Sequence, residues 1–448
     1  MIRTLIADLP GHVGETISIA GCAQTLRLQR AVQFAIIRDH AGAVQVTHHR
    51  DGGALDSLLD GLSVESAVRV TGRLVANPVV ALGGVELIPE EITVENRAEA
   101  PLPIDANTGP EGRLEWRSLD VRRRPAARLV FAVQTTVEAA MRSFAYAHGC
   151  TEMHTPKLMG TASEGGAEVF EVGYFGRKAY LAQSPQFYKQ AAIAAGIDRV
   201  FEVGPVFRAE PSYTARHATE FTGVDVEIAW IDGVEDVMSF EERMLAHVLA
   251  EVAAAHGPAV KEHFGVDVVV PTVPFPRLTM AEAVEIAAAA GDGAAVAAGS
   301  AGGDGAAAAG SRDDLDPAGE RAVAAWVRER TGHEFAFVTE YPASVRPFYH
   351  LRPAGHPELT ASFDLLWKGL EITTGAQREH RYDVLLAQAA EKGLSPEPMR
   401  DYLNNFRYGC PPHGGFGLGL NRLLMTLLGL DSIRDAMFLF RGPSRLTP

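Results

Sequence analysis

A chain of 448 residues, 47% of them hydrophobic, has apolar material for one large core and a second, smaller domain. Its formal net charge of −15 argues against coating nucleic acid through a uniformly basic surface, although a local basic groove stays compatible with it. No apolar run suits a bilayer span, no signal peptide is visible, and Cys22, Cys150 and Cys410 lie too far apart for a disulfide framework, so a reducing, cytoplasmic setting without a membrane is expected.

Residues 1–98 read as short strands with turn punctuation. Ile17–Gly21, Gln33–Ile37, Ala43–Thr47, Ala67–Gly72 and Val85–Ile88 mix β-branched residues with partial alternation, and one helical stretch falls near Ala54–Leu59. That set predicts a small closed barrel of the OB type. A linker is expected over 99–120, where Pro101, Pro103, Gly109 and Pro110 cluster. From Val121 a helical pattern runs to Gly149, after which strands and helices alternate, so 121–448 predicts a large α+β domain around an antiparallel sheet. Within it, 287–310 is almost wholly Ala and Gly, a low-complexity insertion to which no function is assigned.

Four segments carry chemistry. The first is the loop Thr161–Gly166, glycine-hinged and able to close on a ligand, with Ala182–Gln190. There Ser184 is placed as an N-cap, Pro185 at the first helical position, and Gln186 and Lys189 on one helical face. The second is Phe201–Glu227. An apolar strand delivers Arg208 and Glu210, a polar loop carries a cationic pair, Arg216 and His217, and the return strand bears Phe221, Asp225 and Glu227. Arginine forks and histidine suit a polyphosphate and phenylalanine suits a base, whereas the FRxE element alone would read as a solvated surface hairpin. The third is Ser362–Arg378, where Asp364, Glu371 and Thr374 offer hard oxygens for Mg²⁺ and Arg378 offers a fork to a carboxylate; for isolated residues a structural ion pair would be the better reading. The fourth is Gly414–Arg422, whose alternating glycines allow close backbone approach and whose Arg422 sits near a helix start. A glycine-rich strand by itself reflects tight packing as often as a ligand.

Together these segments resemble class II aminoacyl-tRNA synthetases. Glu138–Pro156 resembles motif 1, Phe207–Glu227 motif 2 and Gly415–Leu430 motif 3. TASEGG, AQSPQ-x-YKQ, FRAEPS-x-x-ARH, EITTGAQREHRYD and PPHGGFGLGL look like the archaeal type of aspartyl-tRNA synthetase, over nearly the whole chain. The resemblance implies an OB-fold anticodon-binding barrel, a class II catalytic domain, a homodimer, ATP as co-substrate and Mg²⁺. It implies that Arg208 holds the α-phosphate and touches the substrate and that Phe221 stacks on adenine. Arg216, His217 and Arg422 would meet the outer phosphates, with Glu210 and Gly419 lining the nucleotide site. Glu371, Thr374 and Asp364 would hold the metal, and Thr374 would also face the amino acid. Arg378 and Lys189 would pair with the aspartate side chain, and Gln186 and Glu164 would hold its amino end. In the barrel, Phe34 would stack on an anticodon base while Gln45 and Glu86 read base edges.

The sequence also departs from the family pattern. Asn421 stands where a glutamate usually precedes the motif 3 arginine, Phe438–Pro443 replaces a usual FPRDP, Thr374 replaces serine, and Gly21-Cys22 and Arg30-Ala31 alter the barrel. Residues Val79–Gly84 leave open whether tRNA(Asn) is charged alongside tRNA(Asp). Two alternatives follow: a synthetase of broad tRNA specificity, and a paralogue that keeps the fold without full charging activity.

Overall fold

The computed structural model describes residues 2–161, 169–290 and 314–448. It comprises two compact units, Met1–Trp116 and Arg117–Pro448. In the first, β1 (Thr16–Leu28), β2 (Val32–Arg38), β3 (Ala43–His49), β4 (Ala67–Ala76) and β5 (Val85–Asn96) close a barrel in the order β1-β2-β3-β5-β4. Helix α1 (Ala54–Asp60) follows β3 and α2 (Pro110–Glu115) follows β5. Each expected strand falls inside an observed one, and alternation explains the closure. Ile17 and Ile19, Ala35 and Ile37, Val44 and Val46, Val68 and Val70, and Val85 and Leu87 all point inward and are buried with Leu59 of α1. At roughly 1.5–3 kcal/mol for each fully buried Ile, Val or Leu, this small core carries the barrel.

The second unit begins inside the stretch expected as a linker. Helix α3 (Arg117–Arg123) is anchored by Arg117, which pairs with Asp120 at 2.9 Å and donates to the carbonyls of Asp435 and Met437. The unit continues through α4 (Pro125–Ala147), β6 (Thr151–Glu152), β7 (Leu158–Met159), β8 (Glu171–Tyr174), β9 (Arg177–Leu181), α5 (Gln186–Ala194), β10 (Arg199–Phe207) and β11 (Glu220–Ala229). Then come α6 (Val234–Phe264), β12 (Arg277–Thr279), α7 (Met280–Ala289), α8 (Pro317–Thr331), β13 (Phe335–Thr339) and β14 (Ser362–Trp367). The last elements are β15 (Leu370–Gln377), α9 (Tyr382–Glu391), α10 (Arg400–Asn404), β16 (His413–Gly419) and α11 (Leu420–Leu428).

Eight strands form one sheet in the order β12-β13-β14-β15-β16-β11-β10-β6, antiparallel except at its two ends, where β12 pairs β13 and β6 pairs β10 in parallel. Alternation divides its faces. Val224, Val226, Phe363, Leu365, Phe416 and Leu418 point into the main core with Val133 and Val137 of α4 and Val248 and Leu249 of α6. Their neighbours in sequence, Asp225, Glu227, Asp364, Gly415 and Gly417, face the other way. Helix α8 starts sharply, with Asp316 Oδ1 accepting from the amides of Ala318 and Gly319 and Pro317 in the first turn.

Three local expectations are corrected. Strand β10 stops at Phe207, so Arg208 and Glu210 lie in the loop rather than on the strand. Pro185, not Ser184, is the N-cap of α5, although the Ser184 hydroxyl still accepts the Gln186 amide at 3.2 Å. The Ala/Gly-rich stretch begins as the end of α7, where Ala287 is fully buried, and its residues 291–310 lie outside the described ones. Among the described residues no helix is long and apolar enough to cross a membrane.

Helix α6 also buries an acid. Glu241 is fully enclosed against the sheet near Thr373, and burial, reinforced by the charges of Glu242 and Asp364, pushes its carboxyl up to about 8. The folded protein therefore holds this proton where the unfolded chain has released it. Its stabilising effect is complete below the ordinary carboxylate range and is lost as pH rises towards 8. Glu241→Gln should gain stability relative to the parent between pH 5 and pH 8, by on the order of a few kcal/mol, in denaturant melts at both pH values.

Candidate active site

The deepest feature of the sheet's polar face is a cluster of charges around Glu227. Arg378, just past the end of β15, donates from Nε to Glu227 Oε1 at 3.0 Å and from Nη2 to Oε2 at 3.4 Å. Lys189, from α5, reaches the same Oε2 at 3.4 Å and Asp225 Oδ1 at 2.9 Å, and its ammonium also donates to the carbonyl of Phe416 at 3.0 Å. All four groups are buried. Burial alone would raise Glu227, yet Arg378 and Lys189 outweigh it and hold the carboxyl below its ordinary range.

The glycine-rich strand makes room for this cluster. Asp225 and Glu227 lie opposite Gly417 and Gly415 across the β11–β16 ladder. A Cβ on Gly415 would meet the Val226 carbonyl oxygen at 2.0 Å and Glu227 Oε2 at 2.3 Å, and one on Gly417 would stand 3.2 Å from Asp225 Oδ1. Side chains at these positions would displace the acids that hold Lys189 and Arg378, so the alternating glycines have a packing reason and a site reason at once.

A cleft opens over this floor. Arg208, Arg216, Arg346, Arg378 and Arg422 line it together with Glu210, Asp225, Asp314, Glu320, Asp364 and Glu371. On the hairpin side, the Arg208 guanidinium stands 5.7 Å from the centre of the Phe221 ring and 3.9 Å from Glu210. Arg216 Nη1 donates to Glu320 Oε2 at 3.1 Å, while its own carbonyl accepts from Arg422 Nε at 3.4 Å. His217 is not the cation expected. Burial, then the charges of Arg422, Arg216 and Arg208, depress its imidazole to about 4, and Nδ1 meets the hydroxyls of Ser212 and Thr214.

Arg422 belongs to the first turn of α11, whose N-cap is Gly419, and it reaches the Glu371 carbonyl at 3.2 Å and the Glu371 carboxylate at 3.7 Å. Glu371 and Thr374 come to one face because a bulge shifts the β14–β15 register between Leu365 and Leu366. The Thr374 hydroxyl donates to Glu371 Oε1 at 3.2 Å, and Asp364 lies directly across from Thr374. Burial and the Asp364 charge raise the Glu371 carboxyl, with Arg422 and Arg346 opposing. Asp364 Oδ2 is held by Arg346 at 2.6 Å, but its buried Oδ1 has no hydrogen-bond partner among the described residues. An orphaned hard oxygen beside a second carboxylate and a hydroxyl fits a divalent cation.

Asn421 replaces a carboxylate with a different solution. Its Oδ1 accepts the Thr222 amide at 3.2 Å and its Nδ2 donates to the Ala436 carbonyl at 3.0 Å, a donor role that a carboxylate lacks. Gln186 is buried at the cleft edge and donates to Gln190 at 2.9 Å. Lys189 lies beneath the cleft floor rather than in its lining, and Glu164 falls outside the described residues. Asp225, Glu227, Glu320, Arg346 and His350 complete the site without having been singled out as ligands or partners in the sequence. Arg346 and His350 occur in Val345-Arg-Pro-Phe-Tyr-His350, whose only signal is an arginine set against a proline in an irregular, partly aromatic segment.

On the barrel, Phe34, Gln45 and Glu86 share the outward face. Phe34 pairs with Thr47 and Gln45 with Glu86 across the strands. Glu86 accepts from Gln45 at 3.2 Å, Thr47 at 2.5 Å and Asn77 at 2.8 Å; burial opposes ionisation, but these donors hold its carboxyl below the ordinary range.

Comparison with known proteins places this geometry. The family described as tRNA synthetases class II (D, K and N) matches residues 109–441. An aspartate–tRNA(Asp) ligase of Thermococcus kodakarensis is 40% identical over 97% of both chains. An aspartate–tRNA(Asp/Asn) ligase of Methanopyrus kandleri is 41% identical over 98% of this chain and 97% of its own. Among solved structures, the asparaginyl-tRNA synthetase of Pyrococcus horikoshii complexed with asparaginyl-adenylate superimposes with a TM-score of 0.89, 32% identity and full coverage of both chains.

The cluster makes a stability claim as well. Arg378→Leu strands Glu227 as a buried, half-compensated charge and should cost about 3–5 kcal/mol in denaturant unfolding. Adding Glu227→Gln to that variant should recover part of the loss, whereas an additive loss in the double variant would show that the pair is not coupled.

Proposed function

This chain belongs to the class II aminoacyl-tRNA synthetases of the aspartate, lysine and asparagine group, and we propose that it activates L-aspartate with ATP and transfers it to tRNA(Asp). The single observation that carries the choice of amino acid is the convergence of Lys189 and Arg378 on Glu227 at one end of the cleft. Arg378, which lines the cleft, offers an N–H to a ligand carboxylate, Lys189 beneath the floor adds positive charge behind it, and an asparagine amide would set an N–H against an N–H. The names of the two ligases similar in sequence agree with that reading.

The chemistry needs no protein nucleophile. Arg208 would hold the α-phosphate and Phe221 the adenine. Arg216, His217 and Arg422 would take the outer phosphates, with Glu210 and Gly419 shaping the nucleotide site. Mg²⁺ on Glu371, Thr374 and Asp364 would supply neutralisation of polyphosphate charge. The aspartate α-carboxylate oxygen attacks the α-phosphorus and pyrophosphate leaves. The 3′-hydroxyl of the terminal adenosine of the tRNA then attacks the aspartyl carbonyl, and AMP leaves. The residues position the reactants and oppose developing negative charge, which together account for most of the barrier lowering in such reactions. Gln186 and Glu164 would hold the amino end of the substrate.

The five-stranded barrel fits an OB-type anticodon module in which Phe34 stacks a base and Gln45 and Glu86 meet base edges. A homodimer and a cytoplasmic location complete the reading. Because relatives named for tRNA(Asp) and for tRNA(Asp/Asn) are similarly close, charging of tRNA(Asn) is the second reading.

Aspartate-dependent ATP–pyrophosphate exchange tests the assignment, and no exchange with aspartate would sink it. Arg378→Lys keeps the charge but loses the fork, and should raise the aspartate KM by roughly tenfold or more with little change for ATP. Phe34→Ala should leave exchange intact while slowing charging of purified tRNA(Asp) by roughly tenfold, as loss of one base–aromatic stack would. Parallel charging of purified tRNA(Asn) separates the strict enzyme from the broad one.

A further inference from the structure

Arg378 is held by more than Glu227. Its Nη2 also donates to the Gly415 carbonyl at 3.0 Å, and its Nη1 donates to the imidazole Nε2 of His350 at 3.1 Å. A guanidinium has five N–H groups. Nε and Nη2 are committed to Glu227 and Gly415, and one Nη1 hydrogen goes to His350, so among the described residues a single N–H on Nη1 has no partner, on a side chain that lines the cleft. Glu227 and Gly415 grip the Nε–Nη2 edge of the planar fork, and His350 is the partner on Nη1, the nitrogen that carries the remaining N–H.

His350 is built to stay where it is. Its backbone bridges Arg378, its amide donates to the Pro347 carbonyl at 3.2 Å, and its carbonyl accepts from Gln388 at 3.1 Å. The imidazole is buried, with the Tyr349 ring edge-on at 5.2 Å, and the same Tyr349 ring lies 5.7 Å from the guanidinium. Accepting at Nε2 requires the neutral form protonated at Nδ1. Burial and the surrounding cations Arg378, Arg346, Lys392 and Lys189 all oppose a second proton, which would turn the acceptor into a donor against the guanidinium.

We propose that His350 is a positioning residue for substrate recognition: as a neutral acceptor it orients Arg378 so that its remaining N–H meets the side-chain carboxylate of the amino acid, and it thereby sharpens selection of aspartate over asparagine. This inference rests on the aspartate reading above. Pre-orientation matters because any play left in the guanidinium must be ordered at the moment of binding, which weakens affinity for the ligand it is meant to select.

The test compares wild type, His350→Leu and His350→Gln in aspartate-dependent ATP–pyrophosphate exchange, with melting curves to confirm folding. His350→Leu should raise the aspartate KM about tenfold while the ATP KM stays within about twofold, and asparagine should become a better competitor relative to aspartate. His350→Gln, whose side-chain carbonyl can accept from Nη1, should restore most of the aspartate KM. An unchanged aspartate KM in His350→Leu, or equal rises for both substrates in a folded variant, would overturn the proposal while leaving the function standing. Wild-type enzyme inert with aspartate would instead remove the reading beneath it. If His350→Leu does not fold, ¹⁵N-histidine spectra of the wild type carry the test. The His350 signal, assigned by its loss in His350→Gln, should be that of the Nδ1-protonated neutral ring from pH 8 to pH 6, and an Nε2-protonated ring would refute it.

Discussion

A carboxylate with no access to water, Glu227, is the constraint around which the catalytic unit is organised. An ionised group in that position is tolerable only if opposite charge reaches it with good geometry. Arg378 and Lys189 do so from different elements, one from beyond β15 and one from α5. The requirement extends to the neighbouring strand, where side chains on Gly415 or Gly417 would invade the space of Glu227 and Asp225. Four residues of mixed charge and two glycines, drawn from β11, β16, α5 and the segment after β15, therefore satisfy one electrostatic condition, and the two cations are held in place by the fold itself.

The other end of the cleft follows a looser logic. Arg208 and Arg216 come from the loop between β10 and β11 and Arg422 from a helix start, and acids from three further segments face them. Burial with mutual repulsion raises several of those acids: Glu320 to about 7, with Glu371 adding to the effect of burial, and Asp314 to about 6, with Asp364 adding to it. Each arginine there meets an acid, Arg208 at Glu210, Arg216 at Glu320 and Arg422 at Glu371, and a polyphosphate with a divalent cation would offer both partners an alternative of opposite charge. The contrast is physical. The pairs at Glu227 are sealed from water, whereas those at the arginine-rich end are partly exposed along the cleft. His217 belongs to the second region yet is kept uncharged by burial, with the arginines around it adding to the effect.

Much of this was legible in the chain. Period-two alternation located the barrel strands and the polar face of β11, since side chains two apart must share a face. Arg208, Arg216, Glu371, Thr374, Arg422 and Arg378 were legible because their motifs bring charged groups beside glycines and apolar strands, where solvated surface charge has no reason to cluster. What escaped was any residue whose role is to hold another. Asp225 and Glu227 were visible as acids, but nothing local indicated that they would be buried against Lys189 and Arg378. Arg346 and His350 lie on an irregular segment with no periodicity, and they enter the site only because it folds back beside β14 and β15.

Sequence alone determined the elements, the family resemblance and the chemical types present, because propensity, alternation and charge are properties of short stretches. Tertiary structure decided protonation and pairing. Whether His217 is charged, whether Asp364 retains an unpaired oxygen, and which partners the nitrogens of Arg378 meet all depend on groups brought together from distant parts of the chain. Electrostatic energies depend on burial and on distances of a few ångströms, and neither quantity exists until the sheet, its bulge and the segment before β14 are assembled.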